Sequence, residues 1–107
     1  MNRIIKINFA DILYDYRQAS SIINKACLRN KKLSVTGVFF LFDNLFVILG
    51  INSGIFDREF EYIISPVDAD GEAGMLGVVE SRYYAGFKTI TCFMIQDKLW
   101  GVFEKEK

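Results

Sequence analysis

No histidine occurs among the 107 residues. The commonest general base and zinc ligand is therefore missing, and with it Ser-His and Cys-His nucleophilic pairs, proximal-His haem and most zinc sites. Few of the remaining residues could do chemistry. Cys27 and Cys92 each stand alone inside an apolar pattern; cysteines so placed read as buried free thiols of a reducing compartment rather than a disulfide. Asp68-Ala69-Asp70-Gly71-Glu72 is acidic and glycine-containing, like the start of an EF-hand loop, but the place of its final bidentate Glu falls on Val79. The segment reads as a solvated loop. Asp57, Glu59 and Glu61 are the carboxylates a cofactor-free enzyme would have to use, and they read instead as the wet face of a helix. No catalytic residue, no metal site and no enzyme is expected.

The candidate binding residues are equally sparse. Asn30 either contacts a ligand or closes a helix C-terminus in left-handed geometry. Tyr83, Tyr84 and Phe87 have rings that could stack on a base. Thirteen Lys and Arg against thirteen Asp and Glu leave no net charge, however, and Arg29, Lys31 and Lys32 form the only basic cluster. Nucleic-acid binding needs a basic surface that displaces counterions from phosphates, so it is not expected. Gly71, Gly74 and Gly77 read as turn and strand-packing residues, not as a phosphate loop.

The elements that must position these residues follow from periodicity. Ile5, Ile7 and Phe9 alternate with Lys6 and Asn8, a strand over 3–9. The next residues are less regular as far as Asp15, which with Gln18 resembles a capping box. Ala19, Ile22, Ile23, Ala26 and Cys27 then recur at helical spacing, predicting a helix over 16–30. Val35–Phe42 and Leu45–Ile51 read as strands joined at Asp43-Asn44. Ser53 or Asp57 could cap a second helix with Phe56, Phe60, Ile63 and Ile64 as its stripe, ended by Pro66. Residues 67–74 read as a loop, Met75–Glu80 as a strand, 81–87 as a connection and Thr89–Ile95 as a strand. After the turn Gln96-Asp97-Lys98 comes a short strand over 99–103. No repeat is visible. The expected class is α+β: a ferredoxin-like βαββαβ sandwich, an antiparallel sheet with two helices on one face and one extra C-terminal strand.

Composition agrees with one domain over residues 1–107. Hydrophobic residues make up 51% of the chain and there is one proline, which excludes disorder. No signal peptide is apparent, and the apolar runs fall far short of the ~20 residues that span a bilayer. A cytoplasmic protein without membrane contact is expected. Zero net charge weakens colloidal repulsion and favours self-association.

A sheet covered on one face should alternate apolar and polar residues. Val38–Phe42 and Leu45–Leu49 run on without a break, and Thr89–Ile95 is apolar on both sides. Two helices on one face leave the other uncovered, and each large side chain left in water forfeits roughly 1.5–3 kcal/mol. The spare material is the C-terminal segment around Trp100. A protein interface is therefore expected at Phe93, Ile95, Leu99, Trp100, Val102 and Phe103, filled by a second copy or another protein. The alternative is that the C-terminal strand and local twist cover the face, with Trp100 packed in the core.

The segment from Asn30 through Val35-Thr36-Gly37 to Phe40 resembles the join between first helix and second strand in BLUF domains, the blue-light sensors using FAD. Phe46–Gly50 and Tyr83-Tyr84-Ala85-Gly86-Phe87 are similar to later parts of that family, and the likeness covers about residues 1–95. The resemblance implies a flavin between the two helices, hydrogen-bonded by Asn30. The tyrosine and glutamine of the light reaction fall on Lys6 and Ile48, which cannot replace them, so the resemblance implies a divergent member without the photochemistry. The leading expectation is a non-catalytic regulatory or adaptor module acting by protein contact, with no cofactor; an FAD-binding blue-light photoreceptor domain is the alternative.

Overall fold

The computed structural model describes residues 3–29, 33–51 and 59–107. Its elements run β1 (Arg3–Asn8), α1 (Phe9–Tyr14), α2 (Tyr16–Arg29), β2 (Leu33–Leu41), β3 (Asn44–Ile51), β4 (Phe60–Pro66), α3 (Gly71–Tyr84), β5 (Lys88–Ile95) and β6 (Lys98–Glu106). The protein is α+β, with two antiparallel three-stranded sheets in the orders β1-β3-β2 and β4-β6-β5. A single βαββαβ sheet is not what forms. The chain instead runs β-α-α-β-β and then β-α-β-β, and each time the last strand lies in the middle of its sheet.

Two expected elements change type. Residues 60–64, expected in a helix, form β4; Phe60, Tyr62 and Ile64 also alternate with Glu61, Ile63 and Ser65, and aromatic and β-branched residues so close to Pro66 favour a strand. The expected caps Ser53 and Asp57, with Phe56, lie outside the described residues. Residues 75–80, expected in a strand, belong to α3, which also takes in Gly71, Gly74 and Gly77, expected as turn and strand-packing residues. Asp70 stands at its N-cap with Glu72 in the first turn and Arg82 in the last, which suits the macrodipole. Met75, Val78, Val79 and Arg82, at helical spacing, are its half-buried side. Gly86, at φ 94°, ends it: Phe87 N–H reaches the Arg82 carbonyl at 2.8 Å and Gly86 N–H the Tyr83 carbonyl at 2.9 Å, a Schellman closure that favours glycine.

The first half folds as its local signals direct. The Asn8 side chain accepts from Ala10 N–H at 2.8 Å and opens α1, which the uneven pattern over 10–14 had concealed. Asp15 Oδ1 accepts from Arg17 and Gln18 N–H at 3.1 and 3.3 Å, capping α2 as expected. Ala19, Ile23, Ala26 and Cys27 are the buried stripe of α2. The β2–β3 hairpin turns on Phe42-Asp43, one residue earlier than expected, and Leu41 pairs with Asn44.

The sheets face each other across one core. Ile5, Ile7, Leu45, Val47 and Leu49 from the first sheet meet Tyr62, Ile64, Phe93, Ile95, Trp100 and Val102 from the second. Phe93 stacks on Phe9 with centroids 5.7 Å apart and lies 5.1 Å from Phe40. Helix α2 shares the layer of the second sheet, alongside β4. Asn24 Nδ2 donates to the Tyr62 carbonyl at 2.8 Å, and its Oδ1 accepts from Tyr62 N–H at 2.7 Å. Ser20 Oγ accepts from Ile64 N–H at 2.8 Å. One turn apart on the helix, Ser20 and Asn24 take the place of a neighbouring strand and close the β4 edge.

Helix α3 lies against the opposite face of the second sheet. There the Phe103 ring folds over Gly101, where a Cβ would sit 2.6 Å from ring atoms, and the Arg82 guanidinium rests 5.1 Å above that ring.

Candidate interaction surface

The residues expected at an interface are inside. Phe93, Ile95, Trp100, Val102 and Phe103 are all buried and Leu99 is half-buried. The physical reason is the position of β6: it is the central strand of its sheet, with one face against the first sheet and, on the other, the Phe103 ring folded over Gly101 beneath Arg82 of α3. An unbroken Leu99–Phe103 run marks a strand buried on both faces. These side chains hold one copy together and are not offered to a partner.

The open face lies on the first sheet, on the side away from α2 and the core. Ladder register aligns Ile4 with Ile48 and Gly37, and Lys6 with Phe46 and Phe39. Leu41 stands opposite Asn44 at the hairpin end. Phe39 is 40% exposed, Leu41 50% and Ile4 58%, while Phe46 and Ile48 are half-buried. The Phe39 and Phe46 rings stack 4.8 Å apart and 2° from parallel, making a flat plate at the middle of the patch. On the strands of this face Lys6 is the one charged side chain; Asn8 and Asn44, joined at 3.1 Å, form its polar border. At the hairpin tip Phe42 is 87% exposed and holds φ at 53°, a conformation that costs a bulky residue roughly 1–2 kcal/mol. The signal for this patch was present in the unbroken Val38–Phe42 and Leu45–Leu49 runs.

A polar seam crosses the core. The extra residue Thr36 shifts the β2–β3 register and leaves Val35 N–H to the Tyr62 hydroxyl, which accepts it at 2.9 Å. The same hydroxyl donates to Glu104 Oε2 at 2.6 Å. Burial, followed by the hydrogen bond to Glu104, raises the Tyr62 phenol pKa far above its usual value. Burial, with the Glu104 charge second, pushes the Cys27 thiol up to about 11. Both shifts favour the protonated, uncharged forms at neutral pH, and a thiol held protonated is a weak nucleophile. The arrangement is structural: it ties the second sheet to the bulge of the first.

The other expected residues are scattered. Asn30, Lys31, Lys32 and Asp57 lie outside the described residues. Lys6 and Ile48 sit on the outer face of the first sheet, so a ring lodged against α2 would lie on the far side of the sheet from both. Both cysteines are free, but Cys92 is exposed on β5, not buried, because its side chain points away from the Phe93–Ile95 core face. No cluster of three metal-ligating side chains occurs among the described residues, and none of their helices is long and apolar enough to cross a membrane. Comparison with family models, curated proteins and solved structures returns no match for the chain.

Proposed function

We propose that the chain is a non-catalytic module that works by protein–protein contact, with the outer face of the first sheet as its contact surface and a second copy of the chain as the occupant. The observation that carries this is the patch of Ile4, Phe39, Leu41, Phe46 and Ile48, over which no described element lies. A contiguous apolar patch with a polar border is the signature of an interaction site. With Lys6 its one charge, the face has little with which to select a charged partner. A flat aromatic plate suits an identical plate, and a twofold axis through the Phe39–Phe46 pair closes the assembly at two copies. Thirteen positive and thirteen negative residues leave no net repulsion between copies.

The absence of histidine and the protonated state of Cys27 support the non-catalytic reading. Sedimentation equilibrium of the full chain across a wide concentration range tests the proposal. The expected result is a monomer–dimer equilibrium that Phe39→Lys shifts to monomer with an unchanged circular dichroism spectrum. A wild-type chain that stays monomeric at millimolar concentration overturns it.

A further inference from the structure

A groove of about 760 Å³ runs along the outer side of the seam between α2 and β4 and reaches Arg82 of α3. Its size lies within the range of small-molecule pockets. It is on the opposite side of the second sheet from the core, so it is independent of the contact surface proposed above.

Among the described residues, two buried polar groups in its wall have no partner. Ser65 is only 6% exposed, and its Oγ makes no hydrogen bond; on β4 it alternates with Tyr62 and Ile64 and so faces the groove side of the sheet. Arg82 Nε is likewise buried and unpartnered. Buried polar groups are nearly always satisfied, so an orphan pair in one wall calls for an absent partner. Charge gives that partner a sign. Arg17, Lys25 and Arg82 line the groove, and among the described residues none of them has an ion-pair partner. Of the two carboxylates in the lining, Asp68 already faces Lys98 at 3.8 Å, which leaves Glu61 alone against three cations. Tyr16, Leu28, Ile63 and Pro66 supply apolar wall between the charges.

We propose that this groove binds a small organic anion, a carboxylate or phosphate carried on an apolar body. The anionic group meets Arg82 and Ser65, both hydrogen-bond donors, and the guanidinium fork is the side chain best matched to such oxygens. The body lies along Tyr16 and Ile63. Arg82 turns from the Phe103 ring as it engages the ligand, so binding is felt in the second sheet as well as in the groove.

Titration of the isotopically labelled full chain, followed by amide NMR, tests this with four probes: phenyl phosphate, benzoate, inorganic phosphate and benzylamine. Saturable shifts at Ser65, Lys25 and Arg82 are expected with one or both aromatic anions, and none with benzylamine. Tighter binding of phenyl phosphate assigns a phosphate ligand, and tighter binding of benzoate a carboxylate. Saturation by inorganic phosphate alone removes the apolar body and overturns the proposal. Arg82→Gln should weaken the aromatic anion roughly tenfold or more, the loss of one charge-assisted hydrogen bond. Ser65→Ala, which keeps the side-chain volume nearly constant, should weaken it several-fold with the fold intact. Equal binding of benzylamine, no saturable shift with either aromatic anion, or an unchanged affinity in Ser65→Ala overturns the proposal. Repeating the titration on Phe39→Lys separates this site from the contact surface, since groove binding should persist in that variant.

Discussion

The two halves of the molecule share a strand arrangement, each with one strand before its helical segment and two after and the last strand central, yet α2 and α3 do opposite work. Helix α2 buries Ala19, Ile23, Ala26 and Cys27, and uses Ser20 and Asn24 to close the edge of β4. Helix α3 buries no residue. It contains Gly71, Gly74 and Gly77, exposes Leu76, Tyr83 and Tyr84, and contributes mainly the Arg82 lid over Phe103. In both halves the second strand carries an extra residue, Thr36 in β2 and Ile90 in β5. Among the described residues a side chain of the facing sheet ties down the first bulge, through Val35 N–H to the Tyr62 hydroxyl. The difference teaches that one topology can make one helix a structural member and leave the other as a lightly packed cover.

The comparison can be broken most severely at the helix cores. Ile23→Ala should cost about 2–5 kcal/mol in denaturant unfolding, because Ile23 is fully buried in the core. Val79→Ala, half-buried on α3, should cost less than about 1 kcal/mol by the same measurement. Equal losses would mean the two helices are equivalent after all.

The seam between the halves should yield next. Asn24→Ala removes two hydrogen bonds from the β4 edge, and about 2 kcal/mol of stability should go with them. Light scattering on warming should rise sooner than in wild type, since an uncovered edge strand pairs with other chains.

Alkali should loosen the same seam. Cys27 and Tyr62 are acids whose folded pKa is raised, so the unfolded chain gives up their protons first. Their contribution is complete below about pH 9, the ordinary thiol value, and is lost as pH climbs toward and beyond 11. Denaturation midpoints measured from pH 7 upward should fall across that window, and Tyr62→Phe with Cys27→Ala should flatten the slope.

The smallest change should stabilise. A Cβ at Gly77 meets nothing within 4 Å, so Gly77→Ala should add up to about 1 kcal/mol through helix propensity alone. Thermal unfolding would show it, and a loss would mean α3 packs more closely than its exposure indicates.

Local chemistry made much of the fold legible. Asp15 announced the start of α2, and Ala19, Ile23, Ala26 and Cys27 announced its buried side. But Ile22, expected in that stripe, is 45% exposed, and Ser20 and Asn24, expected to face outward, bond β4 instead. Both hairpins turn within one residue of the expected place. The Val38–Phe42 and Leu45–Leu49 runs were right in signalling a sheet with an apolar second face. Residues 60–64 were not legible, because five residues satisfy a helical stripe and a strand alternation equally well. Three glycines hid α3 for the opposite reason, since their weak propensity outweighs the caps in any local reading.

By itself the sequence determined that the chain carries no histidine and no net charge, and it determined the local signals of β1, α2 and the β2–β3 hairpin. Tertiary structure alone decided which apolar residues became core and which became surface. Trp100 and Phe103 are buried because β6 is a central strand, whereas Phe39 and Phe46 stay open because every described helix and the second sheet lie on the far side of the first sheet. The bonds that settle this arrangement, Asn24 to Tyr62 and Tyr62 to Val35 and Glu104, join residues 27 to 42 positions apart. Periodicity sees only neighbours along the chain, so such contacts exist for the molecule only once it has folded.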